Sequence, residues 1–406
     1  MRAALRRTLA AAALVLGPGA AAQTDPAALF RSGMRASPAA AGGRALVLPG
    51  CRDCHGRDGA GGRESGAVVP PIAWSALTRA ALARPAYDRT SFAAALRDGV
   101  GAGGRRLQAL MPRYPAGEDD AAALWDHLAR LEASERRGVA PDRIRLGVDA
   151  AAGPGLFARL RAELGEGLRL HGRRIELVRV RDAGVEESGL LALVFATDPA
   201  ARHRDGGLPL LFPLDPVDDA VRADEVRSLM PSRRDQADTL LAAAPPEAPV
   251  LADEAGRALL PAATRRRILD ADRLAAPLPG ELIVLVAPGR WRGLLGRLRP
   301  GTRVHAIGPE VGAVLPDLAR RGVRLAVTNP SGGPGVDAAS APADRLARTA
   351  ASLLRAALAA AGRDLTRGAL LRAFDGIRLD EPDWPGLDYA RHPRTGRRDA
   401  ALLTLE

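Results

Sequence analysis

The 406-residue chain contains no lysine, so its 58 Lys+Arg positions are all arginine. That absence reads as base-composition bias more than as function. Aromatic residues make up only 3%, too few for the ring-lined surfaces that bind sugars or stack nucleic-acid bases. Cysteine occurs twice, at Cys51 and Cys54, which leaves room for one disulfide and for no cysteine-built metal cluster elsewhere. The longest apolar run near the N-terminus, Leu9 to Leu16, is far too short to span a bilayer. No H-E-x-x-H and no G-x-S-x-G is present, and the glycine-rich "GAGG" and "SGGPG" lack the Lys-Ser/Thr of a phosphate loop. No catalytic residue is expected, and the chain is not read as an enzyme. No repeat occurs at solenoid spacing.

The formal charge is +11. "MRAALRRTLAAAALVLGPGAAA" carries Arg2, Arg6 and Arg7 before an apolar stretch and a small-residue site at Ala20-Ala21-Ala22. It reads as a secretory signal over 1–22. Without its three arginines the charge is 11 − 3 = +8. The remaining arginines are spread thinly. With export, this argues against nucleic acid and leaves an acidic protein partner, or none set by charge. The expectation is a periplasmic protein without a transmembrane segment, starting near Gln23, with 23–40 as a linker.

"CRDCH" (51–55) places His55 directly behind the second cysteine. A thioredoxin-like pair wants a preceding strand and a following helix; C-x-x-C-H instead points to covalent haem attachment. Two thiols would fix the ring, and His55 would reach the iron. Met111, in "LQALMPRYP" with Pro112 behind it, is the candidate sixth ligand. His127 or water is the alternative. Leu124, Leu128 and Leu131 recur at helical spacing. Asp119 or Asp120 would start that helix. Residues 41–136 therefore resemble a class I monohaem cytochrome c, an all-α domain. The resemblance implies one covalent haem c held by Cys51, Cys54, His55 and Met111, with Pro71 (or Pro70) beside the proximal histidine. It also implies one-electron transfer at an iron with both axial sites filled.

After the polar joint "ASERRGVAPD" the rhythm changes. Strand-like 144–150, 173–182, 189–196 and 208–214 alternate with a helix-like 153–170. Then follow 281–289, 303–308 and 323–332 as strands, and 342–362 and 366–374 as helices. This pattern predicts parallel sheets covered on both faces. "IRLGV", "LHGRRIELVRVRD", "GLPLLFPLD", "VRSLMPSRRDQADTL" and "AAGRDLTRGALLRAFDGI" make 141–406 similar to type I periplasmic substrate-binding proteins of branched-chain amino-acid ABC transporters. That resemblance implies a two-lobed α/β domain with a cleft. Asp182, Asp215, Asp219 and Arg222 are candidate cleft residues. The serine-bearing turns of that family are replaced by "DAAAGPG" and by Asp215, Asp218 and Asp219, whose charge would repel an amino-acid carboxylate. The stretch "PPEAPVLADEAGRALLPAATRRR" looks shortened where a strand–helix–strand is expected.

One subgroup of these binding-like proteins is associated with quinoprotein alcohol dehydrogenases. The leading expectation is thus a periplasmic electron carrier that accepts electrons from such a dehydrogenase and passes them to a downstream cytochrome or oxidase. The alternative is a solute-binding or ligand-sensing protein for a small solute, with an accessory haem.

Overall fold

The computed structural model describes residues 25–36, 46–64, 66–82, 84–181, 189–199, 202, 207–217, 221, 224–274, 277–329, 342–381 and 384–405. The expected signal sequence lies outside them. Two compact units form. The first runs through Cys54 and resumes over Arg63–Ala129; the second joins His55–Gly62 to Arg130–Glu406. Among the described residues no helix is long and apolar enough to cross a membrane.

The first unit is not the expected all-α cytochrome domain. The helix at the motif, Cys51–His55, has only 5 residues. Strand Met34–Ala36 pairs antiparallel with Leu46–Leu48, and Gly62–Glu64 forms a second pair with Ala67–Val69. The stretch read as a linker contains a helix, Pro26–Ser32, capped by the Asp25 side chain and burying Leu29 and Phe30. Helix Arg89–Arg97 begins with a reciprocal capping box between Asp88 and Ser91. Helix Glu118–Glu135 opens with Glu118, Asp119 and Asp120, which favour its positive end. Leu124 and Leu128 are buried as their spacing predicts. Trp125 meets Trp74 edge-on and Phe92 at a tilt, with ring centroids 4.6 and 5.3 Å apart.

The second unit is a two-lobed α/β body. Lobe 1 has a six-stranded sheet in the order 226–227, 210–211, 192–194, 143–149, 173–180, 169–170. All neighbours are parallel except the last pair. Ile144, Leu146 and Val148 alternate along Arg143–Asp149 and enter one core with helices Pro154–Leu164, Pro342–Ala361 and Arg367–Phe374. Val180, Leu193, Leu210, Val217 and Val226 pack on the other face. Lobe 2 has a second six-stranded sheet, in the order 268–270, 250–252, 281–285, 303–306, 324–329, 401–405. Only its last strand runs antiparallel.

The segment expected to be shortened proves to be a complete but minimal unit. Strand Val250–Ala252, helix Glu254–Arg257 and strand Ile268–Asp270 follow one another, and the two strands pair in parallel. A Cβ at Gly256 would stand 1.8 Å from the Leu285 carbonyl oxygen, so this one-turn helix needs glycine to lie against the sheet. The chain passes between the lobes three times: near 228–232, between Asn329 and Pro342, and between Tyr389 and Ala401. The hairpin Arg378–Glu381/Trp384–Asp388 contributes Trp384 and Leu387 to the lobe 1 core before the chain returns to edge lobe 2.

Candidate ligand-binding site

In an open parallel sheet, ligands bind beyond the carboxyl ends of the strands, where the strand order reverses. In lobe 1 that point lies between 143–149 and 192–194, because the chain first adds 173–180 on one side and then 192–194 on the other. Asp149 ends the first of these strands and is 2% exposed. Its Oδ1 accepts the Ala151 N–H at 3.0 Å. Its Oδ2 accepts the Thr197 N–H at 3.1 Å and the Thr197 hydroxyl at 3.2 Å. Arg202 Nη2 lies 3.2 Å from Oδ2. The carboxylate therefore bridges two strand ends and is itself neutralised.

Lobe 2 repeats the device. Its reversal lies between 250–252 and 281–285. Asp253 follows the first strand, caps the next helix through the Gly256 N–H at 2.9 Å and accepts the Ala287 N–H at 2.8 Å. Arg290 Nε approaches it at 3.5 Å and also pairs with Asp272. Nearby, Gly308 N–H donates to the Thr328 hydroxyl, which donates to Gln236 Oε1 at 2.7 Å. Arg233 pairs with Glu310 on the helix behind strand 303–306.

The rims of the lobes differ in strain. Phe195, Asp198 and Phe212 have φ of 58°, 47° and 54°. All three lie just past the ends of neighbouring lobe 1 strands. Positive φ is uncommon for non-glycine residues and is a true outlier for bulky ones. Such strain gathers where a surface is shaped for a ligand. Among the described residues lobe 2 has none.

Of the four predicted cleft residues, Asp215 is described and belongs to this rim. Its Oδ2 accepts the Asp198 N–H at 2.8 Å. Asp182, Asp219 and Arg222 lie outside the described residues. Sequence reading missed Asp149 and Asp253. Their signal was an aspartate closing an apolar strand, in "IRLGVD" and "VLAD".

The haem reading is corrected here. The motif forms a helix of only 5 residues, Cys51–His55, and the chain passes from the first unit to the second directly behind Cys54. Met111 lies in the first unit, where its N–H bonds the Gln108 carbonyl and its carbonyl accepts from Arg113. Pro71 lies there too, exposed. Cys51 is buried, and burial pushes its thiol up to about 12. Among the described residues no group of three or more His, Cys, Asp or Glu side chains is gathered as a metal would need. The expected haem c and its iron ligation therefore fall away, and electron transfer falls with them.

The residues after His55 have a different job. Arg57 is buried and holds Glu135 through Nε and Nη2 at 3.0 and 2.9 Å. It also donates to the carbonyls of Asp224 and Gly207. Asp58 accepts two bonds from Arg372, at 2.6 and 2.8 Å, and one from the Thr366 hydroxyl at 2.9 Å. Burial alone would raise the Asp58 carboxyl, but the Arg372 guanidinium and Thr366 outweigh it and hold it below the usual range. Glu135 Oε2 accepts the Gly368 N–H, and Arg367 reaches the carbonyls of Gly207 and Leu190. Leu190, Gly207 and Asp224 each precede a lobe 1 strand. "GRDG" is thus an anchor under the amino ends of that sheet, opposite the rim of Asp149.

No protein-family model and no curated protein matches this chain. Solved structures similar to it include a fatty acid ABC transporter substrate-binding protein from Thermomonospora curvata. The TM-score is 0.46 at 13% identity, covering 66% of this chain and 90% of that one. A possible leucine/isoleucine/valine-binding protein from Rhodopirellula baltica SH 1 has a TM-score of 0.45 at 14% identity, covering 65% and 96%. An ABC transporter substrate-binding protein from Desulfitobacterium hafniense in complex with Leu has a TM-score of 0.42 at 16% identity, covering 65% and 96%. No residue and no ligand is carried over from them. The quinoprotein dehydrogenase and the downstream oxidase were expected as partners of the haem, and that expectation falls with the haem.

Proposed function

We propose that the second unit binds a small polar solute at the carboxyl ends of its two sheets. The observation that carries this is the repeated closure of the reversal points by Asp149 and Asp253. It leaves two strand-end rims in one body, of which that of lobe 1 is shaped by strained residues, an arrangement suited to a ligand between lobes. The same architecture supports a binding role. The partner it implies is a membrane transport complex. An extracytoplasmic location belongs to the same proposal and rests on the N-terminal sequence.

The rim chemistry narrows the solute. Asp149 is neutralised by Arg202. Asp215 is half-buried and has a backbone donor but no ion pair among the described residues. A free carboxylate would meet an uncompensated charge there. A hydroxylated or cationic solute fits better.

The test is a thermal-shift and calorimetric screen of the full chain. Its panel is 1,2-propanediol, glycerol, ethanolamine and butylamine, set against leucine and benzoate. A ligand of the folded state raises the melting point saturably. The expected result is a saturable shift with a polyol or an amine, lost in Asp215→Leu. No shift across the panel, or a shift with the carboxylates alone, overturns the reading.

A further inference from the structure

Far from the strand-end rim, lobe 1 carries a groove of about 520 Å³. One wall is the end of helix Pro154–Leu164 with the turn 165–167; the other is the four consecutive residues Arg174, Ile175, Glu176 and Leu177. Successive strand residues point to opposite faces of a sheet. Four in a row line one groove only when the strand is met edge-on.

The hydrogen bonding agrees. Arg174 N–H donates to the Asp142 carbonyl beside the neighbouring strand, at 2.8 Å, whereas Ile175 N–H turns the other way, to the Leu168 carbonyl at 3.0 Å. Even-numbered residues of Arg173–Val180 therefore bond inward and odd-numbered ones outward. The short strand Arg169–Leu170 pairs only with Arg173 and Arg174. Beyond it, Leu177 and Arg179 turn their N–H and C=O groups toward an edge that no strand covers among the described residues. An uncovered edge is a template for an added strand.

The side chains give the occupant a pattern. On one face Ile175 and Leu177 lie with Leu164, against the lobe 1 core. On the other face Arg174 is exposed and has no ion pair among the described residues, whereas Glu176 is engaged by Arg145 at 3.7 Å. Within the groove wall Arg161 is matched by Glu166. The uncompensated charge is thus one cation beside an apolar floor.

We propose that this edge binds an extended peptide segment of a partner protein, with apolar residues alternating with acidic ones. The peptide adds a strand along 177–179, continuing the edge beyond Leu168, which already holds Ile175. Its apolar side chains cover Leu164, Ile175 and Leu177, and its carboxylates face Arg174. The site is independent of the solute rim and stands whether or not a solute binds.

The probe is a fluorescently labelled, capped peptide of alternating valine and glutamate, six residues long. Its anisotropy is read with the full chain. The controls are the valine–lysine peptide and the valine–glutamate peptide N-methylated at alternate residues. The expected result is saturable binding of the first peptide, about three- to tenfold tighter than the lysine peptide at low salt. The N-methylated peptide should not bind. Arg174→Glu, an exposed substitution that leaves the fold intact, should reverse the preference. Three outcomes overturn the proposal: no binding, equal binding of the acidic and basic peptides, or undiminished binding of the N-methylated one.

Discussion

The two lobes of the second unit are built to one plan and finished differently. Each has a six-stranded sheet, and each reversal point is closed by an aspartate that takes a backbone N–H from just past the strand across the reversal. Only lobe 1 combines this with strained residues at the rim and buried arginines beneath the sheet. The shared part satisfies polar groups at the two strand ends where a ligand would sit. The unshared part marks lobe 1 as the lobe whose rim is shaped and whose base is held from below.

The largest effect should come from that base. Arg57 and Glu135 are both buried, and their side chains are 7% and 3% exposed. Glu135→Ala strands a buried guanidinium, at a cost of about 3–5 kcal/mol. Urea denaturation of the full chain should show it. Hydrogen exchange should place the loss in lobe 1, with lobe 2 amides protected as before. A loss under about 1 kcal/mol would mean the anchor is ornamental.

The shared device gives the next comparison. Asp149→Ala and Asp253→Ala each free a backbone N–H beside a strand end, worth about 1–3 kcal/mol. Asp149→Ala should cost more, because the ion pair it removes is the more buried, with Arg202 16% exposed against 48% for Arg290, which also pairs with Asp272. Equal losses in the two variants would mean that the arginines are not part of the closure.

Acid should separate the lobes as well. The folded-state Asp58 carboxyl lies below its ordinary value of 3.8. Its contribution is therefore full above that value and is lost as pH falls through the folded one. Stability measured between pH 7 and pH 2.5 should fall less steeply at the acid end in Asp58→Asn than in the parent. Parallel curves would refute the linkage.

The smallest effect is at the rim. Asp198→Gly relieves a φ of 47° and should raise stability by about 0.5–1 kcal/mol. It should also weaken whichever solute the screen identifies. A variant that is less stable would show that the rim is not strained there.

Much of the second unit was legible. Ile144, Leu146 and Val148 alternate as a buried strand should, and helix Pro342–Ala361 follows its apolar face. The start of lobe 2 was under-read because a three-residue strand and a one-turn helix carry too little periodicity to register. Of the candidate site, Asp215 was named from the sequence, and it lies at the lobe 1 rim, where its Oδ2 accepts the Asp198 N–H. Asp149 and Asp253 were not, because their role depends on backbone partners 48 and 34 positions later in the chain. The haem motif misled for a related reason. Five residues of local spacing say nothing about which body the next eight fold onto. Arg57 and Asp58 find partners 78 and 314 positions away.

That last separation sets a timetable for the newborn chain. Asp58 and Arg372 are 314 residues apart. At about 5–20 residues per second of synthesis, the aspartate waits roughly 15–60 s for its arginine to exist. Lobe 1 also needs Trp384 from beyond that point to fill its core. The anchor loop is therefore among the first parts made and among the last to dock. Until then the amino ends of three strands lack the guanidinium groups that will cover them, and a helper that shields them has its work confined to that interval.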